Sequence, residues 1–597
     1  MISIGEQIVT LVNDNSHIVS LRQLSKGLCS KSAINNIVTG GNAADPRLLK
    51  LLLQRVGKSQ NKLEFVATKE FIDIARAQSE FDDCIDSRNS TKASELLRKL
   101  ETIYCDGESV SAVKMYNLRN NAAYRYYINN DVNGALELIQ KAIAITVPQI
   151  NKKRMLQLCL SSVEIENLLF MCFMKVKATQ SEENTTECRR LVNDIFEYIE
   201  KKVTDREEAE YILPKAKWVS ANLYLSEGNP QKAVSECDEG LILLRKSGFM
   251  QMMLPMLEII IRHGEKCELS EPYDSYRNYK EMIDSVCDRF LRNKARLDSL
   301  FLEPDRAVYH YEAEVYRGQR RIKKMTQEDV AEIANTNFDS VSRYENGKRS
   351  PQKNKYLELA NALNLNYAKQ STSLICENFS ILEAEQTMRE LLINENFQLL
   401  EEKLDVIEKK INCSFISNQA LIAYYRNWIG LRKGIIDPLK VIQIDSDIIE
   451  KEYPILSSNV IRPPFLWESR LLAQVYSCLM RMGKKDEAEV LLKKVLDTIS
   501  DSYVDRKQMN RIYGVHAGNY FRQTIEKGGF EEFVEYSVTC RYCKPLDNAF
   551  SSYAAHIYND NRILSKEYAI LSLCAAQLCK SPNIPRISEF IEKWYTD

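Results

Sequence analysis

A chain of 597 residues exceeds what one hydrophobic core supports and implies about three to five folding units. Its composition, 45% hydrophobic and 27% charged, excludes disordered and fibrous classes. With only 20 Gly and 15 Pro, turn-rich β architectures are disfavoured and long helices joined by short turns are expected.

The net charge of −1 conceals two basic islands. Across 19–58 stand Arg22, Lys26, Lys31, Arg47, Lys50, Arg55 and Lys58 against the single acid Asp45, and across 317–355 there are ten basic and five acidic residues. Such islands suit local contact with an anionic polymer; a solvated surface face is the alternative. The 16 cysteines are scattered, and the lone Cys540-Arg-Tyr-Cys543 has no second ligand pair at finger spacing. The expectation is therefore buried thiols in a reducing cytosol, with no metal and no cofactor. The first 16 residues lack a basic stretch followed by an apolar run, and the most apolar stretch, 250–261, is short and holds Pro255 and Glu258. A cytoplasmic protein without membrane contact is expected.

In chain order, the first distinctive segment is 20–58, beginning SLRQLSKGLCSKSAINNIV. Ser20 is placed to cap a short helix with Leu21 and Leu24 apolar. Gly27-Leu28-Cys29 then turns the chain into a second helix over 30–38. The run resembles the N-terminal domain of peptide-responsive regulators of the Rgg/PlcR (RRNPP) type. That resemblance implies that Lys31, Ser32, Asn35 and Asn36 face DNA; Asn36 and Val38 depart from the Arg and Glu usual there.

Helical hairpins follow. AAYRYYINNDVNGALEL from Ala122 and WVSANLYLSEGNPQKAVSECDEGLILL from Trp218 each read as helix, Asn/Gly turn, helix, and LLAQVYSCLMRMGKKDEAEVLLKKVL from Leu471 repeats the pattern. Each has an aromatic on the first helix (Tyr127, Tyr224, Tyr476) and a small residue early in the second (Ala135, Ala233, Ala488), where two helices cross closely. These units resemble tetratricopeptide repeats, and three of them point to an α-solenoid.

The second head begins at Tyr316: YRGQRRIKKMTQEDVAEIANTNFDSVSRYENGKRSP. Thr326 is a natural N-cap, Asn335 can take the left-handed turn conformation, and 338–345 forms a short second helix closed by Asn346-Gly347. Val330, Ile333, Ala334, Val341, Tyr344, Leu357, Leu359, Ala360 and Leu363 are expected inside. Over about 50 residues the pattern resembles the Xre/Cro-type helix-turn-helix. The resemblance implies that Gln327 contacts a phosphate, that Phe338, Asp339, Ser342 and Arg343 lie over base edges, and that Asn346, Lys348 and Arg349 lie near the backbone of double-stranded DNA. Arg343 is the foremost candidate for direct readout, because a guanidinium bridges guanine O6 and N7.

The Rgg/PlcR resemblance further implies a groove in the helical repeats for a short signalling peptide, and dimerisation. An extended peptide needs side-chain amides for its backbone groups; Asn117, Asn121, Tyr124, Asn222 and Asn519 are the candidates. No P-loop, strand-linked GxGxxG, GxSxG or HExxH occurs, and the five histidines stand apart, so an enzyme is not expected. The reading is all-α: helix-turn-helix domains at 1–60 and 306–370, with tetratricopeptide-like arrays at 61–305 and 371–597. The expected protein is a peptide- or protein-controlled DNA-binding regulator, acting as a homodimer or as a single-chain pseudo-dimer. A protein-interaction adaptor with vestigial heads is the alternative.

Overall fold

The computed structural model describes residues 20–595 apart from 39–45, 60, 62, 103–109, 151–152, 180, 292–294, 303–306, 352, 366–369, 373, 375, 377–378, 458–461, 523 and 526–527. Nearly all of its regular structure is helical, as the periodicity requires.

The three hairpins form as read: Val110–Tyr127 with Val132–Thr146, Arg206–Ser226 with Pro230–Ser247, and Leu466–Arg481 with Lys485–Ser500. Local chemistry sets their turns. Asp131 Oδ1 accepts from Gly134 N at 2.8 Å. Asn229 caps the helix that Pro230 begins, where a missing N–H costs nothing. Gly483 turns the chain at φ 76°. Ala135, Ala233 and Ala488 are wholly buried at the crossings. The result is an α-solenoid in each half of the chain.

A three-stranded sheet, unexpected from the sequence, joins the halves. β1 (Leu63–Ala67) lies between β2 (Val308–Tyr311) and β3 (Gln370–Thr372). It runs parallel to β2, with Phe65 opposite Tyr309, and antiparallel to β3, with Glu64 opposite Ser371. All five residues of β1 are buried. The first head thus leads directly into β1, while the second is framed by β2 before it and β3 after it.

The helix Pro438–Ile449 carries a buried acid, Asp445. One of its oxygens accepts from Asn427 Nδ2 at 2.8 Å and the other has no partner. Burial pushes this carboxyl up to about 8, the Asn427 bond offsetting only part of the effect. An unfolded aspartate ionises near 4. Between about pH 4 and about pH 8 the unfolded chain has therefore released a proton that the folded chain keeps, and stability falls as pH rises through that window. Asp445→Asn is expected to flatten this slope and to raise the melting temperature at about pH 8 relative to wild type, as read by thermal unfolding across the range.

Candidate nucleic-acid interface

The second head consists of helices Glu312–Ile322, Gln327–Ile333, Phe338–Glu345 and Lys353–Ala362. A reciprocal cap begins the second helix: Thr326 N donates to Asp329 Oδ2 at 2.7 Å and Asp329 N to Thr326 Oγ1 at 3.1 Å. Asn335 makes the turn at φ 46°, and Asn337 caps the third helix by accepting from Ser340 N at 2.8 Å. At the far end Lys348 N donates to Arg343 O and Gly347 N to Tyr344 O, a Schellman closure. Gly347 is left-handed, and a Cβ there would lie 1.7 Å from the Tyr311 hydroxyl, so a larger residue would have to displace that side chain at the end of β2.

Inside the head, Val330, Ala331, Ala334, Val341, Tyr344, Leu359, Ala360 and Leu363 are buried. Two expected core residues are not. Ile333 is 61% exposed, because the close helix crossing admits only Ala331 and Ala334 in that turn; Leu357 is 39% exposed, because the buried stripe runs Tyr356, Leu359, Ala360, Leu363. One partly buried charge network ties the end of the third helix to the first. Arg320 donates through Nε and Nη2 to both oxygens of Glu345, at 2.6 and 2.9 Å, and through Nη1 to Met325 O at 2.9 Å. Gln327, expected at a phosphate, here donates through Nε2 to Glu345 Oε2 at 2.7 Å and is half-buried.

The outer face of Phe338–Glu345 is open. Phe338 is 45% exposed. Asp339, Arg343, Asn346, Lys348 and Arg349 are exposed and Ser342 is half-buried beneath Asn346, whose Nδ2 donates to Ser342 O at 2.8 Å. Among the described residues Arg321, Lys323, Lys324, Arg343, Lys348 and Arg349 enter no ion pair, in contrast to the internally paired Arg320. A short helix on a tight turn thus projects one aromatic, one guanidinium and unneutralised cations into solvent.

The first head has the same plan: helices Leu21–Leu24, Lys31–Val38 and Pro46–Arg55. Ser20 and Ser30 cap the first two, and Gly27 turns the chain between them. Lys31, Ser32 and Asn35 are exposed while Ala33, Ile34 and Ile37 are buried; the side chain of Asn36 lies outside the described residues. The first basic island divides. Arg47, Arg55 and Lys58 are buried, so they are unavailable to an anionic polymer. Sequence reading missed the role of Arg55. Its Nη1 donates to Leu24 O and Lys26 O at 2.8 and 2.7 Å, its Nη2 to Thr146 O at 3.0 Å, and Nη2 and Nε bind both oxygens of Glu164 at 2.6 and 3.0 Å. This guanidinium fastens the head to the first array, and a Cβ at Gly27 would come within 2.4 Å of Thr146 O.

Beside that junction, helices Val132–Thr146, Ser162–Ala178 and Glu182–Lys202 line a half-open cavity of about 1080 Å³ with an apolar floor that includes Ile143, Met155, Met171 and Leu191 and a charged rim of Lys153, Arg154, Arg190 and Asp194. A second cavity of about 270 Å³ shares Val147, Pro148 and Lys153 with it and reaches Arg22, Gln23 and Arg55 of the head. None of the expected peptide ladder lines either cavity. Asn121 Nδ2 is occupied by Glu101 and by Asn117 O, and Asn222 Nδ2 by Trp218 O on its own helix. Tyr124 is half-buried and Asn519 lies in the other half, its backbone O accepting from Tyr476.

Two histidines acquire partners that the sequence hides: His310 Nε2 lies 2.8 Å from Glu64 Oε1, and His516 Nε2 lies 2.9 Å from Ser469 Oγ. Both pairs are buried, and burial pulls the His516 imidazole down to about 4. Among the described residues no group of His, Cys, Asp and Glu is arranged to hold a metal, and no helix is long and apolar enough to cross a membrane.

Comparison with known proteins bears on this geometry. Residues 318–369 match the family model described as Helix-turn-helix. A search of curated proteins gave no match. Among solved structures, PlcR of Bacillus thuringiensis, in complex with the peptide PapR7 and DNA, aligns with 48% of this chain and 99% of its own at 10% identity and a TM-score of 0.30. A score that low does not establish a common fold.

Glu345→Ala would leave the Arg320 guanidinium without its carboxylate and is expected to cost about 3 kcal/mol, with lost amide-exchange protection concentrated in 338–345. Arg55→Met is expected to remove protection in Leu21–Leu24, Lys31–Val38 and Pro46–Arg55 while leaving the helix Arg206–Ser226 protected. Uniform loss in either variant would contradict the local roles derived above.

Proposed function

We propose that this protein is a sequence-specific DNA-binding transcription regulator that reads the major groove with the outer face of Phe338–Glu345. The observation that carries the reading is the division of labour on that helix. Its inner face is fixed by Arg320 and Glu345, while Phe338, Arg343, Lys348 and Arg349 remain open to a ligand. Rigid presentation with unpaired cations suits a polyanion whose groove admits a helix. Arg343 reads a base; Asn346, Lys348 and Arg349 bind phosphates. Gln327 reaches a phosphate by exchanging its bond to Glu345.

The regulatory input belongs to the first array. The cavity of about 1080 Å³ has the size and the apolar floor with charged rim that suit a short peptide or a segment of a partner protein. It replaces the Asn117, Asn121, Tyr124, Asn222 and Asn519 ladder as the place for such a ligand. Its neighbour touches Arg55, so occupancy there bears on how the first head is held.

Gel shifts on DNA upstream of the gene, across a salt series, test the DNA reading. Arg343→Ala is expected to lose about 1–3 kcal/mol of discrimination at one base position. Lys348→Ala should weaken binding evenly across sequences and reduce the salt slope by about one. Absence of binding at low salt would favour the adaptor reading.

A further inference from the structure

Two copies of one layout face each other within this chain. Lys31–Val38 and Phe338–Glu345 are both of 8 residues, and Pro46–Arg55 and Lys353–Ala362 both of 10. Each later element begins 307 positions after its counterpart, 338 against 31 and 353 against 46. Left-handed residues keep the same step, Gly57 with Asn364 and Arg88 with Glu395. The strands do so as well, Leu63 with Gln370.

The pairing of β1 with β3 adds symmetry to repetition. Leu63 stands opposite Thr372, Glu64 opposite Ser371 and Phe65 opposite Gln370. At the common step Thr372 is the counterpart of Phe65 and Gln370 that of Leu63. Exchanging the halves therefore maps this ladder onto itself, which places a two-fold axis through the Glu64–Ser371 pair.

Contacts farther along obey the same axis. The helices Pro230–Ser247 and Gly529–Thr539 end in an antiparallel bridge between Phe249 and Tyr542, with Met250 N donating to Arg541 O at 2.8 Å and Cys543 N to Gly248 O at 3.0 Å. The helices Tyr273–Phe290 and Arg562–Leu578 pack on each other. The first helix after each head reaches the opposite half at or shortly before the start of an equivalent helix. Arg76 pairs with Asp505 at 3.1 Å on one side, and Glu390 with Arg206 at 3.0 Å on the other. Reciprocal contacts of this kind are what an isologous dimer makes between two chains; here one chain supplies both partners.

The two heads have nevertheless diverged. At counterpart positions Lys31 stands for Phe338, Ser32 for Asp339 and Asn35 for Ser342, so no pair of these outer residues is alike. Identical heads on a two-fold read palindromic half-sites; unlike heads do not. We infer that one chain, as a monomer, is a complete two-headed reader of a bipartite operator whose halves differ in sequence. The Phe338–Glu345 face reads one half, and the face bearing Lys31, Ser32 and Asn35 reads the other. The inference rests on the DNA-binding reading above.

The test selects DNA from a random library with the full chain and weighs the free protein and its complex by sedimentation. Expected are a free particle of 68.9 kDa, one chain per duplex, and a non-palindromic site. Lys31→Ala combined with Asn35→Ala should relax preference in one half-site alone with about tenfold weaker binding, and Arg343→Ala should do the same in the other half. A free dimer, two chains on a palindrome, or indifference to the Lys31 and Asn35 changes would overturn the inference while sequence-specific binding through Arg343 stands. A monomer that binds no DNA at low salt would remove the DNA-binding reading itself, and the inference with it.

Discussion

Glu64 is a buried acid, the second residue of β1, and two remote segments converge on it. Its Oε1 lies 2.8 Å from His310 Nε2 in β2 and accepts, also at 2.8 Å, from the backbone N–H of Leu466, the first residue of a helix in the second array. A buried acid is tolerable only when such partners compensate its lost hydration, and a helix N-terminus is among the best. The position of β1 therefore depends on β2 and on the second array together. Because β1 follows the first head and β2 precedes the second, the contacts of this one residue tie the strands adjoining both heads.

The two heads use buried arginines differently. In the second, Arg320 and Glu345 both belong to the head, so it carries its own internal brace. In the first, Arg55 reaches outward to Glu164 and Thr146 of the array. The first head consequently shares a structural element, the connector after Thr146, with the two neighbouring cavities, whereas the second is framed by strands. A ligand that displaces that connector moves a carbonyl that Arg55 holds.

Much of this was legible in the sequence because it is local. Caps at Thr326 and Asn337, the left-handed Asn335, and the small residues at Ala135, Ala233 and Ala488 follow from rules spanning a few positions. The exposure of Arg343 and Phe338 follows from helical periodicity. What escaped depends on contacts between distant segments. β1 and β2 are too short to announce themselves beside strong helical patterns, and their pairing crosses most of the first half of the chain. Arg55, Arg47 and Lys58 read as surface cations because composition cannot reveal that Glu164 and Glu383 wait for two of them. The Asn121 and Asn222 amides read as free because a side chain bonding to its own helix leaves no trace in spacing.

The bond from Leu466 to Glu64 spans 402 positions, which has a consequence for biosynthesis. At about 5–20 residues per second of translation, Glu64 leaves the ribosome roughly 20–80 seconds before the amide that donates to it. For more than half of that interval, until β2 at Val308–Tyr311 is made, β1 is a nascent edge without a strand partner, and the N-terminal solenoid has to persist without its sheet. So distant a closure also raises the contact order and slows the final step of folding. The early array must be stable enough alone to hold β1 out of misdirected strand pairing until the second half emerges.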